Sequence, residues 1–188
     1  MMRIPMFLEV AQWALLFALG ALVVVLYRQL GRLLSTERDP AALGPAVGAK
    51  ATSIRYTRLP DGGAGQITPG GGQPALIAFV DPTCPACEQL VSSLGMLQAA
   101  GNLSGFRVLL LISDPPGYLS ISAVFRDTSL EVGRPLSAAE VADYHATGTP
   151  LLVAVDGAGV VRASGVASTT TAVQAQAASV ARESEAAV

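Results

Sequence analysis

The sequence is poor in charge, in histidine and in cysteine. Of its 188 residues only 14% are charged, whereas 51% are hydrophobic. That balance is low in charge for a freely soluble domain and directs attention to a long apolar run. Lys and Arg total 12 against 14 Asp and Glu, with no basic cluster interleaved with aromatics. No nucleic-acid partner is expected from such a surface. One histidine, His145, and two cysteines, Cys84 and Cys87, cannot fill a four-ligand zinc site from Cys and His of one chain. Two cysteines are also too few for a disulfide-stapled scaffold. No resident metal or cofactor is expected. The glycine-rich stretch LPDGGAGQITPGGGQP, Leu59 to Pro74, lacks the Lys-Ser/Thr ending of a phosphate loop and reads as turns and connection. No internal repeat is visible.

The apolar run lies at the N-terminus. VAQWALLFALGALVVVLY, Val10 to Tyr27, carries no charge. Starting near Met6 or Phe7, it reaches the roughly 20 apolar residues that a helix needs to cross a bilayer. Trp13 and Tyr27 suit the membrane interfaces. A cleaved signal peptide would have a shorter apolar stretch and a small-x-small cleavage site, and none follows Tyr27. The expected organisation is an N-terminal transmembrane anchor over 1–33, a Pro- and Gly-containing linker over 34–50, and one domain over 51–188. The membrane bilayer is thus an expected partner.

Within the domain the periodicities alternate. Ile54 to Arg58 reads as a first strand. Ala75 to Val80, ALIAFV, is a short continuous apolar run and fits a buried strand. From Cys87 to Gly101 apolar residues recur at helical spacing (Leu90, Val91, Leu94, Leu97), and Gly101 ends the helix. RVLLLIS, Arg107 to Ser113, is a second buried strand, stopped by DPPG. Tyr118 to Pro135 gives no clear period. Ser137 followed by Glu140 predicts a capped helix reaching His145. Leu151 to Val155 and Val160 to Ala163 flank DGAG, a hairpin signal. Thr169 to Glu183 is the last helix. Interleaved strands and helices with a closing hairpin predict an α/β fold, a sheet with helices on both faces.

Both cysteines sit in FVDPTCPACEQL, Phe79 to Leu90. Cys84 follows a buried strand and opens a helix. Helix N-terminal amides carry partial positive charge and stabilise an anion, and thiolate is the form that attacks a disulfide. Cys87, one turn further in, is placed to attack the resulting mixed disulfide. Pro85 suits the first helical turn, where its missing N–H is not needed. Gly148-Thr149-Pro150 precedes an apolar strand, a position where proline is tolerated. Two other readings of the pair stay open: half of a metal site completed by a second chain, and a structural disulfide, although so short a loop constrains little of the unfolded chain. A peroxidatic cysteine fits poorly, because the residue three positions before Cys84 is Asp81 rather than Thr.

These features resemble the membrane-anchored thioredoxin-like proteins of the MauD and TlpA type. The resemblance runs through RQLGRL (Arg28 to Leu33), GPAVGAKA (Gly44 to Ala51), FVDPTCPACEQL and SAAEVADYHATGTPLLVAVDGAGVVRASGVAS (Ser137 to Ser168). It implies a thioredoxin-like fold, a central mixed sheet flanked by helices, and a thiol–disulfide oxidoreductase with the pair Cys84 and Cys87. It implies that Pro150 is cis and lies against the CxxC pair, so that Pro85, Ala86, Thr149 and Pro150 shape the substrate groove. Its partners would be a disulfide- or thiol-containing client and a membrane electron donor or acceptor. Maturation of an exported dehydrogenase or cytochrome is the role it points to. Two positions depart from the family: Thr83 stands where thioredoxins carry Trp, and Ala78 stands where their buried acid lies, six residues before the first cysteine. Glu88 and Asp81 are carboxylates nearby, expected in solvent.

Two signals oppose each other on orientation. Arg28, Arg32 and Arg38 follow the apolar run and only Arg3 precedes it, which places the domain in the cytoplasm by charge bias. The resemblance implies an extracytoplasmic domain on a single-pass anchor, and that is the expectation carried forward, with Arg28 snorkelling to the interface. The alternatives to catalysis are an assembly factor that uses the fold as a scaffold and a metallochaperone.

Overall fold

The computed structural model describes residues 12–13, 15–16, 19–20, 43–59, 61–113, 123–126 and 128–186. The chain divides into two compact units, Met1–Arg38 and Asp39–Val188. In the first, the described positions are helical, and Trp13, Leu15, Leu16 and Leu19 are exposed. The rest of the anchor expected over 1–33, and the linker up to residue 42, lie outside the described residues. Among the described residues no helix is long and apolar enough to cross a membrane.

The second unit runs β1 (Ile54–Leu59), β2 (Ala64–Ile67), β3 (Ala75–Val80), α1 (Pro85–Ala99), β4 (Arg107–Ile112), α2 (Ala123–Arg126), β5 (Glu131–Pro135), a 3₁₀ helix (Ala138–Tyr144), β6 (Leu151–Val155), β7 (Val161–Gly165) and α3 (Thr170–Ala186). The strands form one mixed sheet in the order β2-β1-β5-β4-β3-β6-β7. β3 pairs in parallel with β4, and β4 with β5; the other pairings are antiparallel.

Strand parity explains the two cores. Side chains alternate across a strand, so Leu76, Ala78 and Val80 of β3 face one side and Ile77 and Phe79 the other. The first side is covered by Leu90, Val91, Leu94 and Leu97 of α1 with Val173, Ala177 and Val180 of α3. The second is covered by Tyr144 of the 3₁₀ helix, whose ring meets Phe79 at 5.3 Å and whose hydroxyl donates to the Thr52 carbonyl at 2.6 Å. All six residues of β3 are buried, which is why its sequence is continuously apolar instead of alternating. α1 ends as expected: Gly101 takes positive φ, and the N–H groups of Gly101 and Asn102 return to Gln98 and Leu97.

Several expectations need correction. The Leu59 to Pro74 stretch contains strand β2, paired with β1, and Tyr118 to Pro135 contains α2 and β5. Ser137 makes no side-chain cap, and its segment is 3₁₀ rather than α-helical. Glu140 is drawn away from the capping role by β1: its carboxylate accepts from the Arg55 N–H at 3.0 Å and from the Arg55 guanidinium at 2.8 Å. His145 closes that helix in the left-handed region, exposed. Residues 43–50, expected in the linker, pack along β7 instead: Leu43 is buried, Gly48 donates to Val161, and Val161 donates to Ala49. This covers an edge strand that would otherwise be free to pair with another chain.

The glycine run serves backbone contact. Gly72 donates to the Gly157 carbonyl at 3.0 Å, and a Cβ on Gly157 would lie 2.5 Å from the Gly72 oxygen. The DGAG turn is further held by Asp156, whose carboxylate accepts from the N–H of Ala158 and Val160 and from Arg162 at 2.7 Å. Burial pushes this carboxyl up, but the bonds from Val160, Arg162 and Ala158 prevail and hold it below the usual aspartate range. The stability it contributes is present above that range and is lost as pH falls through the depressed value.

Candidate active site

The C-terminal ends of β3 and β4 lie side by side, with Ser113 donating to the Val80 carbonyl. The chain leaves β3 there and turns into α1. Cys84 is the N-cap residue, extended at φ −96 and ψ 114, with no side-chain cap bond, and Pro85 follows at the first helical position. A residue in that place stands at the positive end of the helix dipole, and Cys84, making no cap bond, leaves its sulfur uncommitted to the helix amides. Cys84 is accordingly half-buried and Cys87 fully buried, and both thiols are free.

The turn closes on itself. The N–H of Cys84 donates to the Asp81 carbonyl at 3.1 Å, and that of Cys87 to the Cys84 carbonyl at 3.0 Å. The Asp81 N–H donates to the Cys87 sulfur at 3.4 Å. In the bend just before β6, the Thr149–Pro150 peptide is cis, and the Thr149 carbonyl accepts from the Cys84 thiol at 4.0 Å. The structure therefore brings Cys84, Cys87, Thr149 and Pro150 to one place, from segments 65 residues apart. Pro85 is exposed and Ala86 half-buried beside them, while Pro150 is buried.

The two thiols differ in kind. Burial pushes the Cys87 thiol up to about 11, against the bond from the Asp81 N–H; Cys84 adds to the rise, and Thr149 opposes it. No carboxylate is among the groups acting on this sulfur. Ala78, in place of a buried acid, is packed in the apolar core. Cys87 is thus a protonated, shielded thiol at neutral pH, and Cys84 is the sulfur that another molecule meets first. In a Cys84→Ser variant, which removes the upward push of Cys84 but keeps the burial, alkylation of Cys87 should still rise with pH to a midpoint above the ordinary thiol value. A midpoint near the ordinary thiol value of about 8.5 would show that the sulfur is not shielded.

The Asp81 carboxylate lies at the surface, as expected, and there accepts from both the N–H (2.7 Å) and the hydroxyl (2.6 Å) of Thr83, which hold it below the usual carboxylate range. The Asp-x-Thr spacing is the signal that could have revealed it, since Asp commonly bonds the backbone two residues on. Among the described residues no group of three or more His, Cys, Asp or Glu is placed to hold a metal.

No protein-family model matches the sequence. Two methylamine utilization proteins MauD are similar to it. That of Methylobacillus flagellatus is 28% identical over 170 residues, covering 86% of this chain and 79% of the relative. That of Methylorubrum extorquens is 26% identical over 176 residues with the same coverage. Among solved structures, a thiol:disulfide interchange protein of the thioredoxin family from Chlorobium tepidum superposes with a TM-score of 0.58 at 16% identity, covering 72% of this chain and 97% of that one. At such identity the likeness speaks for the fold. This chain is thioredoxin-like in fold and MauD-like in sequence.

Proposed function

We propose that the chain is a membrane-tethered thiol–disulfide oxidoreductase acting on cysteines or disulfides of exported client proteins. The observation that carries this reading is the asymmetry of the pair: an accessible Cys84 at a helix N-terminus, beside a cis-proline loop, with a shielded Cys87 one turn inside. Cys84 is the nucleophile toward a client disulfide, and Cys87 resolves the mixed disulfide. Thr149 and Pro150, with Pro85 and Ala86, form the groove in which the client backbone lies. A membrane-borne donor or acceptor returns the pair to its starting state, and the client is a dehydrogenase or cytochrome in maturation.

The tether is supported by the uncharged run Val10 to Tyr27 and by the exposed Trp13, Leu15, Leu16 and Leu19. The extracytoplasmic side is what the family resemblance implies, against the arginine bias around the apolar run. The full chain should remain with the membrane fraction after an alkaline wash, and protease added outside intact cells lacking an outer envelope should digest the Asp39–Val188 unit. Protection of that unit from outside protease would reverse the orientation. Exchange chemistry is tested separately by a Cys84→Ser/Cys87→Ser double variant, which should fail to support client maturation. Full support by that variant would point to a scaffold.

A further inference from the structure

The backbone N–H, the carbonyl and one carboxylate oxygen of Asp81 all bond within the cysteine turn. Its carbonyl receives the Cys84 N–H at 3.1 Å, and its own N–H reaches the Cys87 sulfur at 3.4 Å. Its carboxylate oxygen Oδ1 takes both donors of Thr83, the N–H at 2.7 Å and the hydroxyl at 2.6 Å. One residue therefore touches the backbone of one cysteine and the sulfur of the other, and its side chain fixes the turn that leads into Cys84. Thr83 is the residue immediately before Cys84, and it is exposed.

We propose that Asp81, locked by Thr83, is the positioning residue for the resolving step, holding its own N–H on the Cys87 sulfur. This rests on the exchange function proposed above. In that step Cys87, having lost its proton to solvent, attacks the Cys84 sulfur of the mixed disulfide. The Cys84–Cys87 bond forms as the Cys84–client bond breaks. The client sulfur leaves with the electron pair and takes a proton from water, so two electrons have passed from the cysteine pair to the client. The Cys87 thiolate is buried and poorly hydrated, and an N–H donor held in place offsets part of the hydration it lacks. The carboxylate acts as an acceptor for Thr83 and takes no proton.

The test uses the full chain in detergent and a thionitrobenzoate disulfide as probe. Release of the first thionitrobenzoate reports attack by Cys84, and release of the second reports resolution by Cys87. Asp81→Ala should slow the second release by about three- to tenfold and move the alkylation midpoint of Cys87 upward in the Cys84→Ser background. Asp81→Asn keeps Oδ1, the oxygen that receives both Thr83 donors, and should recover most of both losses. Thr83→Val retains one of the two bonds and should fall between; at an exposed position it also reads the effect if Asp81→Ala does not fold. Unchanged release and midpoint in Asp81→Ala and Thr83→Val would overturn the proposal. So would an Asp81→Asn variant as slow as Asp81→Ala, which would make the carboxylate a proton acceptor. A wild-type protein that releases no second thionitrobenzoate would contradict the exchange function itself, while the alkylation midpoint still reads the Cys87 sulfur independently.

Discussion

Replacing Cys84 with serine should lower disulfide exchange by about a thousandfold or more, whereas replacing Cys87 should leave the first attack intact and stop the reaction there. The two outcomes follow from position. Cys84 stands at the open end of α1 with its sulfur toward the Thr149 carbonyl, so it is the sulfur a client reaches. A serine hydroxyl is not ionised there at neutral pH and does not attack a disulfide. Cys87 is buried behind it and acts only from within. In Cys87→Ser the client stays joined to Cys84, because no second thiol displaces it. The adduct should appear on a non-reducing gel as a higher band that collapses with dithiothreitol. Turnover that survives in Cys84→Ser, or Cys87→Ser giving no adduct with any disulfide substrate, would contradict this assignment.

The second large effect is on stability, at Gly133. Tyr56 is fully buried in the sheet, with its ring lying across Gly65 of β2 and Gly133 of β5. A Cβ at either glycine would fall inside the ring's van der Waals envelope. The ring is not free to swing aside. Its hydroxyl donates to Glu131 and accepts from Arg107 at 2.9 Å, and Arg107 is itself held by Glu131 at 3.2 Å and by the Gln66 carbonyl at 3.1 Å. Burial, then Glu131, raise the phenol to about 12, so it remains a donor through the neutral range. Gly133→Ala should therefore cost about 2–3 kcal/mol, a fall of about 4–12 °C in Tm. Combining it with Tyr56→Leu should cost less than the sum of the two single changes, because they share one contact. An unchanged Tm for Gly133→Ala would show that the ring is loosely held.

The same Tyr56 explains why part of the sheet was illegible in the sequence. β3, α1, β4 and the β6–β7 hairpin announce themselves because each carries its own period or turn signal, and the structure has them within a residue or two of where the sequence puts them. β2 and β5 do not. Each holds a glycine that reads as loop, and the reason for both glycines is a tyrosine on β1, visible only once three strands are side by side. The failed cap at Ser137 has a similar origin: the local pattern is correct, but Arg55 on another strand takes the Glu140 carboxylate. At the candidate site, Cys84 and Cys87 are marked by residue type and spacing, and Thr149 and Pro150 by the family resemblance, whereas the contact of Asp81 with Cys87 is made by a backbone N–H, which any residue but proline possesses and no residue type announces.

The most direct measurement is the redox equilibrium of the full chain in glutathione or dithiothreitol buffers, with both thiols counted by alkylation at each potential. One reversible couple is expected, in which Cys84 and Cys87 are protected together, with a tenfold change in ratio for about 30 mV, as a two-electron step requires. A potential near about −270 mV would make the protein a reductase toward its client, and one near about −120 mV an oxidant. Absence of any reversible couple, or two thiols that oxidise independently, would contradict exchange by this pair.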